Sequence, residues 1–232
     1  MFEPRRYAIW GSSGHAKVLI ALIAEQGGEV VALFDNDPSA KSVVGRLSVI
    51  VGEDGFADWI RQEKPGRSVS GLVAIGGWRG RDRLEIHQRF RDAGLSMHAL
   101  VHDRAYVSAS AVLGEGTQVL AQAIVASDAR IGQACVINHK ASVDHECILG
   151  DGVHIAPGAS ICGCVEIGEN AFVGAGAVIL PRLIIGKDAL VAAGSVVTKD
   201  VSPGQRVAGN PARPMKGQPR GAQQERSVRR NT

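Results

Sequence analysis

The residues best equipped for chemistry lie in one stretch, Asn138-His139-Lys140-Ala141-Ser142-Val143-Asp144-His145-Glu146. His145 stands between two acids. A neutral imidazole with a carboxylate on one ring nitrogen is held in a single tautomer and made more basic, which is what a general base needs. General-base help is typically worth about 10²–10⁴-fold in rate. A solvated surface histidine between two acids fits the same local sequence. His139 and His154 read equally well as surface or interface histidines. Several histidines also raise the question of a metal, but no close pair of them with a carboxylate is present, and no metal is expected.

A second candidate stretch is Gly11-Ser12-Ser13-Gly14-His15, a tight turn between a short strand, Tyr7–Trp10, and a helical pattern over Ala16–Gln26. A turn of this kind sits where open α/β sheets bind ligands, at the carboxyl end of a strand and facing a helix N-terminus. It is not the dinucleotide fingerprint, because only Gly11 and Gly14 are present of the three glycines GxGxxG requires. Asp35 lies where an acid would meet a ribose hydroxyl. Phosphates or ribose of a nucleotide suit the turn better than a whole dinucleotide.

What positions the first stretch is a repeat. From Val107 through Leu113, Val119 and Val125 to Val197, every sixth residue is Val, Ile or Leu, with no miss. Two residues before each stands a second register that is nearly always small, such as Ala123, Ala141 and Ala159. A period of six fits neither an amphipathic helix nor an alternating strand; it is the signature of a hexapeptide β-helix. Three hexapeptides make one coil of a triangular prism, so each face recurs every 18 residues, and coils stack about 4.7–4.9 Å apart. His139 and His145, six apart, then lie on successive faces and converge only across a subunit contact. Gly114, Gly132, Gly150, Gly168 and Gly186 are spaced by one coil, which predicts an edge where the chain needs unusual φ/ψ. No hydrophobic exterior stripe and no insertion is expected in the prism.

The first hundred residues alternate β and α, which predicts a parallel sheet. Further strands are expected at Val30–Phe34, near Leu47–Ile50, at Gly71–Ile75 and at Met97–Val101, with helices around Gly55–Gln62 and Arg81–Ala93. The expected organisation is an α/β domain over 1–101, a prism over 102–216 and a disordered tail over 217–232. The tail carries much of the positive excess and has no apolar pattern.

The net charge of +3 is too small to argue for nucleic acid, and no apolar run is long enough to span a bilayer. The start, MFEPRRYAIWG, lacks a small-residue cleavage site, so no secretory signal is expected. The four cysteines, Cys135, Cys147, Cys162 and Cys164, include no CxxC pair. They read as reduced thiols of a cytoplasmic protein, with none well placed for an acyl-enzyme.

With GSSGH, NHKASVDHE, GDGVHIAPGASICGCVEIG and AGNPAR in view, the chain resembles the sialic acid O-acetyltransferase and nucleotide-amino-sugar N-acetyltransferase family over roughly residues 7 to 216. Members act on UDP-4-amino sugars and GDP-perosamine, among others. The resemblance implies a Rossmann-like α/β domain followed by a left-handed parallel β-helix, acetyl-CoA as co-substrate, a nucleotide-sugar acceptor and a homotrimer with sites at the subunit contacts. Residue by residue, it implies His145 as base, Glu146 as the acid that raises its basicity, and Asp144 at a position that is usually acidic. The amide of Gly163 matches the group near the thioester oxygen. His154, Ala175 and Ala193 match positions lining the acetyl-CoA groove. Ser13, Gly14 and His15 match the turn that holds the nucleotide sugar, and Asp35 and Asn36 its base or ribose contact. Lys199, Arg206 and Arg213 are candidates for the CoA phosphates. N-acetylation of a nucleotide-linked amino sugar leads, ahead of O-acetylation of sialic acid or a related sugar. A non-catalytic prism and a zinc-dependent hydratase are the remaining readings.

Overall fold

The computed structural model describes residues 5–43, 45 and 47–215. The expected tail, 217–232, lies outside the described residues. The chain opens with β1 (Arg6–Trp10), α1 (Gly14–Glu25), β2 (Glu29–Asp35), β3 (Val49–Val51), α2 (Gly52–Glu63), β4 (Val69–Val73) and α3 (Gly80–Asp92). The four strands form one parallel sheet in the order β3-β2-β1-β4. Aliphatic residues of β1 and β2 read as near-continuous apolar runs because helices cover both sheet faces. Trp10, Phe34, Phe56 and Phe90 gather on one side, with ring centroids 5.3–6.2 Å apart.

The expected last strand, Met97–Val101, does not join this sheet. Ser96 makes a single bridge to Ser70, and Leu100–Val101 pairs instead with Gln118–Val119 as the first rung of the prism. Three sheets of two-residue rungs follow. The first face stacks Leu100–Val101, Gln118–Val119, Val136–Ile137, His154–Ile155, Phe172–Val173 and Leu190–Val191. The second stacks Tyr106–Val107 to Val196–Val197, and the third Val112–Leu113 to Ile184–Ile185. In each rung the first residue points out and the second in; Val143, for example, pairs with Val125 below and Ile161 above. The inward aliphatics and the small register form one continuous buried core. Full burial of each aliphatic is worth about 1.5–3 kcal/mol, and only small side chains fit beside them at the corners.

The corners correct the expectation about glycine. The left-handed conformation falls at a different position, every sixth residue, and is taken by side chains such as Gln122, Asp128, Lys140, Glu146, Cys164 and Asn170, with φ near 60°. Gly114, Gly132, Gly150, Gly168 and Gly186 do not have positive φ. They are small because an added Cβ would run into the backbone, or in one case the side chain, of the next coil. Close approach, not dihedral freedom, selects them.

The α/β domain covers the first face. Its anchor is Arg83 of α3, 1% exposed, which donates to the carbonyls of Ile75 (3.1 Å) and Gly77 (3.3 Å) in its own domain and of Ala134 (3.1 Å) and Gly152 (2.5 Å) in the prism. Burial pulls its pKa down to about 10, so the guanidinium stays charged at neutral pH. The second and third faces carry no such cover, and there the expectation of a bland exterior fails. Tyr106, Val112, Ile124, Ile148 and Ile184 point outward and are 43–60% exposed.

Candidate functional site

His145 lies at the corner between the second and third faces, just past the rung Ser142–Val143. The repeat places Gly163 one coil above it. The imidazole Nε2 lies against Gly163, close enough that a methyl group there would overlap the ring. The Nδ1 atom is 3.0 Å from Glu146 Oε2. A carboxylate only accepts hydrogen bonds, so the proton sits on Nδ1 and Nε2 presents its lone pair. The bond from His145, with a second from Cys164, holds the Glu146 carboxyl below its ordinary range, so it is ionised at neutral pH. Both side chains are more than half exposed. The N–H of Gly163 has no acceptor among the described residues. An open lone pair beside a free amide can take a proton from a nucleophile and stabilise an oxyanion.

Asp144 plays a different part from Glu146. Its carboxylate accepts the backbone N–H of His145 at 2.7 Å, which shapes the turn and leaves the ring alone. Cys164, which the sequence presents only as a reduced thiol outside any CxxC pair, belongs to this corner as well. It stands one coil above Glu146, and its Sγ is 3.7 Å from Glu146 Oε2. Addition of 18 to Glu146 would have found it.

A second polar cluster lies under the α/β domain. His154 Nδ1 is 3.1 Å from the Gly77 carbonyl and its Nε2 is 3.2 Å from Asn138 Nδ2. Asn138 Oδ1 in turn accepts from the backbone N–H and the Nδ1 of His139, at 2.8 and 2.9 Å. The direction of donation is fixed from the carbonyl end: His154 donates to Gly77 and accepts from Asn138. His15 Nε2 lies 2.7 Å from Gln118 Oε1, while Gln118 Nε2 donates to the Val73 carbonyl at 2.9 Å. Burial keeps these rings neutral: the pKa of His154 is pushed down to about 3, and that of His15 is lowered too.

The remaining candidates separate by corner. Ala175 and Ala193 are exposed, one coil apart, at the corner between the first and second faces. They share it with His139 and not with His145 or Gly163. His154 is buried on the first face, so one chain does not bring the expected groove residues together. Ser13, just ahead of α1, and Gly14, its first residue, are exposed. Asp35 accepts the N–H and hydroxyl of Ser12, both at 2.8 Å, and ties the turn to the end of β2; Asn36 is exposed beside it. Lys199 is exposed, Arg213 donates to the Ala212 carbonyl, and the Nε of Arg206 is buried without a partner.

Two family models match: the PglD N-terminal domain over residues 6–89 and the bacterial transferase hexapeptide (six repeats) over residues 128–163 and 164–199. No curated protein sequence matches the chain. Among solved structures, the acetyltransferase domain of PglB from Neisseria gonorrhoeae is 31% identical, with a TM-score of 0.80 over 91% of this chain and 100% of that one. Perosamine N-acetyltransferase from Caulobacter crescentus, solved as a histidine-to-asparagine mutant with CoA and GDP-perosamine, is 35% identical, with a TM-score of 0.83 over 91% of this chain and 97% of that one. WeeI from Acinetobacter baumannii AYE is 29% identical, with a TM-score of 0.78 over 90% of this chain and 99% of that one. Prism and repeat together make the protein a hexapeptide-repeat transferase. Within that class the chain belongs to the PglD-like sugar N-acetyltransferases, acetyl-CoA-dependent enzymes of nucleotide-linked amino sugars.

Proposed function

We propose that this chain transfers acetyl directly from acetyl-CoA to the amine of a nucleotide-linked amino sugar, with His145 as general base. The observation that carries the reading is the imidazole itself: Nδ1 engaged by ionised Glu146, Nε2 open against Gly163. The amine attacks the thioester carbonyl, Nε2 takes its proton, and the free N–H of Gly163 steadies the oxyanion. Collapse then expels the CoA thiolate. No covalent enzyme intermediate enters the scheme.

The acceptor's nucleotide belongs on the α/β domain. Ser13 and Gly14 leave their side of the turn open to a diphosphate at the start of α1, with Asp35 and Asn36 beside it for ribose or base. We place acetyl-CoA between prisms of a homotrimer. The uncovered second and third faces with their outward aliphatics support that assembly, as does the separation of Ala175 and Ala193 from His145 onto different corners. A groove between two copies would reunite them, while His154 stays enclosed under its own α/β domain. The described residues contain no helix long and apolar enough to cross a membrane. Four free cysteines suit the cytoplasm.

Turnover with acetyl-CoA and a panel of UDP-4-amino, GDP-4-amino and sialic acid acceptors tests the reading. A nucleotide-linked amine is expected to be acetylated, and His145→Asn to lower kcat by about 10²–10⁴-fold. Exclusive activity on sialic acid hydroxyls would replace N- by O-transfer. A His145→Asn variant within a few-fold of the parent would remove the base.

A further inference from the structure

We propose that His145, Glu146 and Cys164 form a binding site for a thiophilic divalent cation, zinc above all, whose occupancy switches the base off. One donor atom from each residue lies within 4.8 Å of the other two. Glu146 and Cys164 occupy the same corner position one coil apart, both left-handed, with φ of 57° and 60°. Their side chains therefore leave the prism side by side, and the 3.7 Å between Sγ and Oε2 adjoins the 3.0 Å between Oε2 and Nδ1. Donors bound tetrahedrally to zinc at about 2.0–2.3 Å stand about 3.3–3.7 Å from one another. The cluster thus needs only small side-chain adjustments to close on an ion.

The donor set selects the metal. One imidazole, one thiolate and one carboxylate suit zinc and its probes cobalt and cadmium, while magnesium and calcium prefer oxygen alone. His145 and Glu146 are exposed and Cys164 half-exposed, so an ion can enter from solvent and keep water as its fourth ligand. On binding, the thiol releases its proton to solvent. Nδ1 must then offer a lone pair, so the ring's single proton moves to Nε2. Nε2, facing Gly163, becomes a donor and no longer accepts the proton of an attacking amine. This inhibitory consequence rests on the proposed role of His145; the binding site itself does not.

Titration of the full chain with Co²⁺ or Cd²⁺, without CoA or sugar, reads the site directly through the thiolate-to-metal charge-transfer band. One equivalent per subunit is expected, with the band kept in Cys162→Ala and lost in Cys164→Ala. Initial rates of acetylated-sugar formation, followed by chromatography before CoA accumulates, read the switch. With each variant scored against its own metal-free rate, Cys164→Ala is expected to need at least tenfold more zinc for half-inhibition than Cys162→Ala. No band, or an equal band in Cys164→Ala, overturns the site. A Cys164-dependent band with zinc leaving turnover unchanged keeps the site and instead removes the switch and the role of His145 as base.

Discussion

Two polar clusters each carry a histidine of the repeat, His154 in one and His145 in the other, and they differ in what surrounds them. Under the α/β domain, His15 and His154 are enclosed, their bonds end on fixed carbonyl or amide groups, and burial holds them neutral. At the bare corner, His145 has one nitrogen engaged by a carboxylate and the other open beside a free amide. The lesson is that enclosure turns a histidine into a fixed hydrogen-bond piece, whereas a corner with one committed nitrogen leaves a side chain able to move protons. The enclosed cluster depends on the docking of two domains; the open one depends on a single coil stacked on the next.

The sharpest way to break the contrast is to undo the docking. Arg83 spans four backbone carbonyls, two in each domain, and has no carboxylate partner among the described residues. Arg83→Met keeps much of the apolar stem but strands those carbonyls. Unfolding free energy is expected to fall by about 3 kcal/mol, the sum of several unmade hydrogen bonds. Arg83→Lys should not rescue it, because one ammonium cannot reach all four acceptors. Urea unfolding would measure both variants; a loss under 1 kcal/mol for Arg83→Met would show that the domains dock without this residue.

A second prediction concerns acid. A histidine whose folded pKa lies below its unfolded value costs stability as pH falls, because only the unfolded chain takes up the proton. For His154 the window runs from the ordinary 6.5 down to about 3, and its contribution is intact above 6.5. His15, His139 and His87 are lowered by burial as well and push in the same direction. At pH 5 the His154 share is about 2 kcal/mol relative to pH 7. His154→Gln, which does not titrate, should lose about that much less stability between the two pH values. Equal losses in parent and variant would mean that His154 is protonated in the folded protein.

The two clusters were not equally legible. The open one follows from arithmetic: a period of six names the inward residue, and a coil of 18 sets Gly163 above His145. The same sum sets Cys164 above Glu146, a pairing hidden by looking for thiols only near other thiols. The enclosed cluster rests on contacts that have no period. Gln118 meets His15 across 103 positions, and the partners of Arg83 are main-chain carbonyls, which every residue possesses and no side chain announces. Arg83 reads as one more charge on a polar helix, Gly80–Asp92. The exposed aliphatics were missed because the outward position varies from coil to coil: Arg130 and Glu166 alternate with Val112, Ile148 and Ile184 on one face, and the fold is what shows that face to be bare.

The smallest expected effect tests the open cluster at its most exposed joint. A methyl group added at Gly163 would overlap the Nε2 edge of His145, while the rest of the coil retains its packing. The ring is more than half exposed and can swing away, so stability should change little. The swing, however, draws Nδ1 from Glu146 and carries Nε2 off the line to the thioester. Gly163→Ala is therefore expected to lower kcat by about tenfold, equivalent to about 1.4 kcal/mol of barrier, with little change in KM for the sugar. Loss of KM alone would place Gly163 in a binding wall, and an unchanged kcat would mean that the ring does its work from another position.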